Sequence, residues 1–132
     1  MLIGVNTLPP SNEELRATVA SAGPIIAAIR AFEAEHRKPP KSLEELVPKY
    51  LPVVPLPKGP AKESWVFLSS ESAHAPDLPE TRAWALNIEV RGTEGFLQFG
   101  DIFAFHSDGV YEERRYGGIL LRKVDGWGYY RE

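Results

Sequence analysis

Apolar residues in the first third of the chain recur with a helical period. Leu15, Val19, Ala22, Ile26, Ile29 and Phe32 follow one another at steps of three and four, which predicts an amphipathic helix with one buried face. Ser11 stands at the N-cap position with Glu14 three residues on, the spacing of a capping box, so the helix is expected to begin near Asn12. Gly23 and Pro24 interrupt the stripe without changing its phase, predicting a kink rather than a break. His36, Arg37 and Lys38 suit the carbonyl pole of this helix, and Pro39-Pro40 ends it. Arg16, Arg30, Glu33, Glu35 and Arg37 fall off the stripe and read as a solvated face.

Ser42 and Glu45 repeat the capping spacing, with Leu43, Leu46 and Val47 facing inward, so a second, short helix is expected before Pro48. Tyr50, Leu51, Val53 and Val54 then alternate with Pro52 and Pro55 in a stretch too rich in proline for a central strand, giving an extended connection that ends near Gly59. Beyond it the period changes to two. In 82–90, Trp84, Leu86, Ile88 and Val90 share one face and Ala83, Ala85, Asn87 and Glu89 the other, the clearest strand signal in the chain. Residues 64–68 form an earlier strand. Residues 96–99 and 102–106, separated by Gly100-Asp101, make either a hairpin or one long strand with a glycine bend. Ser107-Asp108-Gly109, Gly117-Gly118 and Asp125-Gly126 supply turns into 110–115, 119–124 and 127–131, predicting antiparallel hairpins. The stretch 69–81, with serines, prolines and acids and little to bury, is expected to be a mobile surface loop.

The expected fold is therefore α+β: one domain over residues 1–132, with a helical spine (11–38), a short helix and proline-rich connection (39–62) and an antiparallel sheet (63–132). A long N-terminal helix and a short helix pack on a sheet of four to five strands. Seven of the twelve prolines lie in 39–60 and eight of the eleven glycines in 92–128, so the helical and hairpin parts differ in backbone chemistry as well as in period. With 18 acidic and 15 basic side chains the net charge is −3, which supplies no field to gather nucleic acid. The absence of cysteine excludes disulfides, a thiolate metal site and a cysteine nucleophile. No uninterrupted apolar run approaches the roughly 18 residues that would span a bilayer.

Catalytic signals are sparse. His36, His74 and His106 each lack a second ligand or orienting partner at a diagnostic spacing, and the serines lie in no nucleophile-elbow context. Asp101, Asp108, Glu112 and Glu113 could offer oxygen ligands near one sheet edge, but their spacing is not that of a calcium loop, and turn chemistry accounts for Asp108-Gly109. Phe103, Phe105, Tyr111, Tyr116, Trp127, Tyr129 and Tyr130 could form a stacking platform; core and cross-strand packing explain them better. No catalytic, cofactor-binding or metal-ligating residue is assigned, and no enzymatic activity is expected. A ligand pocket beside His106, Asp108 and Tyr111 is the enzyme-type alternative.

Residues 25–51 carry a family resemblance. The run Ile25-Ile26-Ala27-Ala28-Ile29-Arg30-Ala31-Phe32, followed by Pro39-Pro40-Lys41-Ser42-Leu43-Glu44-Glu45-Leu46 and Tyr50-Leu51, resembles type IV pilin-like proteins, especially the pseudopilins of type II secretion. In that family a helix with an Ile-xx-Ala-Ile-xx-aromatic pattern runs into a Gly-x-Tyr-Pro-x-Ser-Leu-x-x-Leu segment and then a small antiparallel sheet; here Arg37-Lys38-Pro39 replaces Gly-x-Tyr. His106-Ser107-Asp108-Gly109 is similar to a turn of such heads but lacks its first glycine and its acidic cluster. The resemblance implies a non-catalytic head domain, a subunit or accessory of a secretion or pilus-type filament in the cell envelope or periplasm. Its partners would be other pilin-like subunits or a component of the secretion machinery. Any membrane attachment would run through an N-terminal helix absent from this chain, which is expected to be either a head fragment or a soluble relative that never assembles. The alternative is a soluble protein-binding module of inhibitor or immunity type.

Overall fold

In the computed structural model, residues 10–61, 64–72, 78–90 and 100–131 are described. Helix α1 spans Asn12–His36 and begins with the expected cap: Ser11 Oγ accepts the Glu14 N–H at 3.1 Å and Glu14 Oε1 accepts the Ser11 N–H at 2.9 Å. It runs through Pro24 and closes on Arg37, whose left-handed backbone (φ 63°) turns its N–H back onto Glu33 O at 2.8 Å. By length and composition averaged along the helix, α1 is apolar enough to cross a membrane, although its charges interrupt any continuous apolar run. In the fold its inner face is buried against the sheet.

That inner face is Leu15, Thr18, Ala22, Ile25, Ala28, Ile29 and Phe32. Val19 and Ile26, expected on the seam, are only half-buried. Thr18 and Ile25 are fully buried instead, and at Thr18 the proline-rich connection lies along this side of α1. Thr18 Oγ1 donates to Lys58 O at 2.6 Å and the Lys58 N–H donates to Ser21 Oγ at 3.1 Å. Gly59 makes the approach possible: its φ is +82°, and a Cβ there would stand 2.7 Å from both Glu14 O and Thr18 Oγ1.

No second α-helix forms. The segment after Pro40 makes one turn of 3-10 helix, Leu43–Leu46, and the Ser42 side chain caps nothing, while Glu45 reaches back to the Lys41 N–H at 2.5 Å. Pro39-Pro40 before and Pro48 after leave room for one turn only, and Val47, ahead of a proline, is already extended. Leu43 and Leu46 still face the core, at 7% and 0% exposed.

The sheet has six strands where four to five were expected: β1 Val66–Ser69, β2 Trp84–Val90, β3 Asp101–His106, β4 Arg114–Arg115, β5 Gly118–Val124 and β6 Trp127–Arg131. All described neighbours are antiparallel, in the order β1-β2-β3-β6-β5-β4, and the sheet is curled. The expected strand 96–99 lies outside the described residues, as do 73–77 of the expected loop, while of the expected Gly100-Asp101 turn Asp101 already belongs to β3 and the Gly100 N–H donates to Glu89 Oε2 at 3.1 Å. The ends of that loop are pinned: Ser69 belongs to β1 and donates its hydroxyl to Pro40 O at 2.6 Å, and the Arg82 N–H donates to Pro79 O at 2.9 Å.

One face of the sheet packs on α1 through Trp84, Leu86, Ile88 and Val90 of β2, Phe103 of β3 and Trp127 and Tyr129 of β6. Phe103 stacks on Trp127 at 4.9 Å and Trp84 on Phe105 at 5.6 Å, so these aromatics are core. Arg30, expected merely in solvent, lays its guanidinium 5.9 Å over Trp84 and 5.8 Å over Phe105. Burying Leu15, Ile25 and Ile29 completely contributes about 1.5–3 kcal/mol each.

Candidate functional site

The expected hairpin between 102–106 and 110–115 is not made. After β3 the chain crosses the sheet face opposite α1 as a strap, residues 107–113, and becomes strand only at Arg114–Arg115, on the far edge. It passes over β6, where Tyr130 Oη donates to Glu112 O at 2.7 Å, and comes alongside β5 at Glu113, whose carbonyl accepts the Leu120 N–H at 2.8 Å. Tyr111 Oη donates to Gly126 O, and the Tyr111 ring lies on Gly128, where a Cβ would come within 2.6 Å of it. The hairpin β5–β6 then returns so that β6 fits beside β3.

Arg82 holds the strap in place. Its side chain is wholly buried at the foot of β2 and is bonded from three directions: Nε donates to Asp108 Oδ1 at 2.9 Å, and Nη2 donates to Val110 O at 2.9 Å and to Glu112 Oε2 at 2.5 Å. Burial alone would favour a neutral guanidine, but the hydrogen bonds to Glu112 and Asp108 outweigh it and raise the Arg82 pKa. Both carboxyls lose some hydration, which pushes their pKa values up, but Arg82 more than reverses this and lowers them. Asp108 and Glu112, candidate ion ligands in sequence, are therefore counter-ions of an arginine. Asp101 is elsewhere, with Oδ2 accepting from Tyr129 Oη at 2.5 Å. Among the described residues no group of three or more His, Asp or Glu side chains is placed to hold a metal.

His106 lies beneath the strap, 1% exposed, with its ring stacked on Tyr111 at 4.5 Å. Nδ1 is 2.7 Å from Val110 O, which fixes the proton there, so Nε2 accepts from Tyr116 Oη at 2.6 Å. Burial lowers its pKa below 6.5, the Val110 carbonyl opposes this and the Arg82 charge adds to it. Tyr111, Tyr116 and Tyr130 form the rest of this group, and desolvation raises the pKa of each, that of Tyr130 to about 12. The fold thus brings His106, Asp108 and Tyr111 together as the enzyme-type alternative required. Both ring nitrogens and the Asp108 carboxyl, however, are spent on holding the strap. His36 stays at the end of α1, 3.2 Å from Tyr50 Oη and with its ring tilted against Phe32 at 4.2 Å, and His74 lies outside the described residues.

Sequence reasoning passed over Arg82. One signal was present, a single arginine directly ahead of the apolar alternation of 84–90, but nothing local shows that its side chain turns to the face opposite α1.

Beside the locked strap the curled sheet leaves an open cleft of about 860 Å³. Val66 and Leu68 of β1 form one wall, Arg114, Arg115 and Tyr116 the other, and Asn87, Glu89 and Ile102 line it from β2 and β3. A second groove, about 690 Å³, shares Arg114, Arg115 and Gly117 and is completed by Ile119, Leu121 and Arg131. These recesses can admit an apolar side chain beside a carboxylate. Compared with known proteins, the chain matches no protein-family model, no curated protein and no solved structure.

Proposed function

We propose that this chain is a non-catalytic, pilin-like head domain that works by docking protein, as a subunit or accessory of a secretion or pilus-type filament in the cell envelope or periplasm. The observation that carries the reading is α1 itself. A capped helix of 25 residues lays one face on an antiparallel sheet and leaves Ala17, Ala20, Pro24, Ala27 and Ala31 exposed along its length, where a neighbouring subunit could lie. The resemblance of residues 25–51 to pilin-like spines supports it. So does the use of the buried polar groups: His106, Asp108, Glu112 and Arg82 serve to hold a strap.

The chain contains no cysteine, so single cysteines can be placed at Ala20 and Ala27 for crosslinking in the native host. The reading expects adducts between heads, or with other pilin-like subunits, from these positions and none from a cysteine at Ser70, which is exposed at the end of β1. It also expects an apolar segment of roughly 20 residues encoded upstream of Met1. A stop codon there, with a soluble one-to-one complex and no head-to-head adducts, would instead favour the inhibitor or immunity-type module.

A further inference from the structure

We propose that the sheet edge at β4 is a docking site for an acidic, extended segment of a partner protein, which adds to the sheet as a further strand. β4 ends the strand order, pairing with β5 on one side, and no described strand pairs with its other side. An edge strand carries unpaired N–H and C=O groups and can template another strand.

The two recesses lie where the side chains of such a strand would go. The 860 Å³ cleft opens between the β1 and β4 edges of the curled sheet, and the 690 Å³ groove opens on the β5 and β6 side; both are walled by Arg114 and Arg115. Successive side chains of a strand point to opposite faces, so a segment along β4 would drop alternate residues into the two recesses. Main-chain bonds would then supply affinity and the recesses selectivity.

The chemistry of the walls identifies the partner. Arg114, Ile119 and Arg131 stand directly opposite one another across β4, β5 and β6, so two guanidinium groups bracket one aliphatic side chain. Ile119 and Leu121 are 47% and 46% exposed, and neither Arg114 nor Arg131 has an acidic partner among the described residues. A chain of net charge −3 has here collected unpaired cations beside exposed aliphatic residues. Such an edge repels its own copy, because two β4 strands would bring arginines together, and it attracts a strand carrying carboxylates beside aliphatic side chains. The inference uses no residue of α1 and stands apart from the filament reading.

The test is fluorescence anisotropy on the whole chain with a labelled peptide of alternating glutamate and valine. Binding is expected, weakening as salt is raised, and the double variant Arg114→Gln, Arg131→Gln should weaken it at least tenfold while melting like the parent. Ile119→Ser should weaken it with less change in salt dependence. A glutamine–valine peptide, and a version of the acidic peptide with proline at alternate positions to remove N–H donors, should both fail to bind. Equal binding of the neutral peptide would sink the acidic partner, and equal binding of the proline version would sink strand addition. Tighter binding to anionic phosphatidylglycerol vesicles or to an oligothymidylate would show a plain anion site, and no binding of the acidic peptide at millimolar concentration would remove the proposal altogether.

Discussion

His106 titrates against the fold. Its neutral ring is held between Val110 O and Tyr116 Oη, and burial lowers its folded pKa, whereas in the unfolded chain it takes a proton near 6.5. The unfolded state therefore binds more protons as pH falls below about 6.5, and stability declines through that window. Asp108 and Glu112 act in the same direction at lower pH. Their folded pKa values are depressed, so their contribution is complete above the ordinary carboxylate values of 3.8 and 4.5 and is lost as pH falls through the folded ones. Urea midpoints measured from pH 8 to pH 3 should fall in two stages, and His106→Gln should flatten the stage that begins near 6.5 while leaving the lower one. Gly128 offers a steric counterpart. A methyl there would stand 2.6 Å from Tyr111 Cδ1 and 3.2 Å from Leu120 Cδ1, so Gly128→Ala should cost about 1–3 kcal/mol in a thermal melt, with the Tyr111 ring lifted off β6.

At the level of elements, α1 depends on its ends and its seam by separable amounts. Ser11→Ala removes one side of the capping box and should cost about 1 kcal/mol, read as a lower urea midpoint with unchanged slope. Ile29→Asp puts a carboxylate at a position with no exposure and should abolish cooperative melting; a parent-like melt would mean that the buried face is misplaced. The start and end of α1 were legible because caps and stripe are local. Strands β2 and β6 were legible too, since alternation in 84–90 and the turn before Trp127 need no distant partner. Thr18 was missed on the seam because what covers it, the connection reaching Lys58, lies 40 residues away in the chain. The second helix was overread because the capping spacing of Ser42 and Glu45 was weighed above the prolines on either side.

The whole molecule turns on the crossing strap. Arg82 reaches Asp108 and Glu112 across 26 and 30 residues of sequence and thereby decides that β6, not the segment after Gly109, lies beside β3. Arg82→Met leaves the half-buried Asp108 without its counter-ion and Glu112 with only Arg115, 3.8 Å away, and should cost about 2–3 kcal/mol in chemical denaturation. The same variant should open the strap to limited proteolysis near Val110, which is already 55% exposed. If it melts and resists cleavage like the parent, the strap is held by its tyrosines alone. Arg82→Lys should rescue only part of the loss, since an ammonium cannot reproduce the guanidinium fork that spans Asp108, Val110 O and Glu112.

The sequence by itself determined the capped spine, the change from helical to alternating period, the class α+β and the inward aromatics of the strands, because each follows from spacing within about ten residues. Only the tertiary structure decided the sixth strand, the place of β6 next to β3 and the inner face around Thr18. It alone brought together Arg82, Asp108 and Glu112, and Arg114, Ile119 and Arg131, because long-range ion pairs and cross-strand registers have no local period from which they could be read.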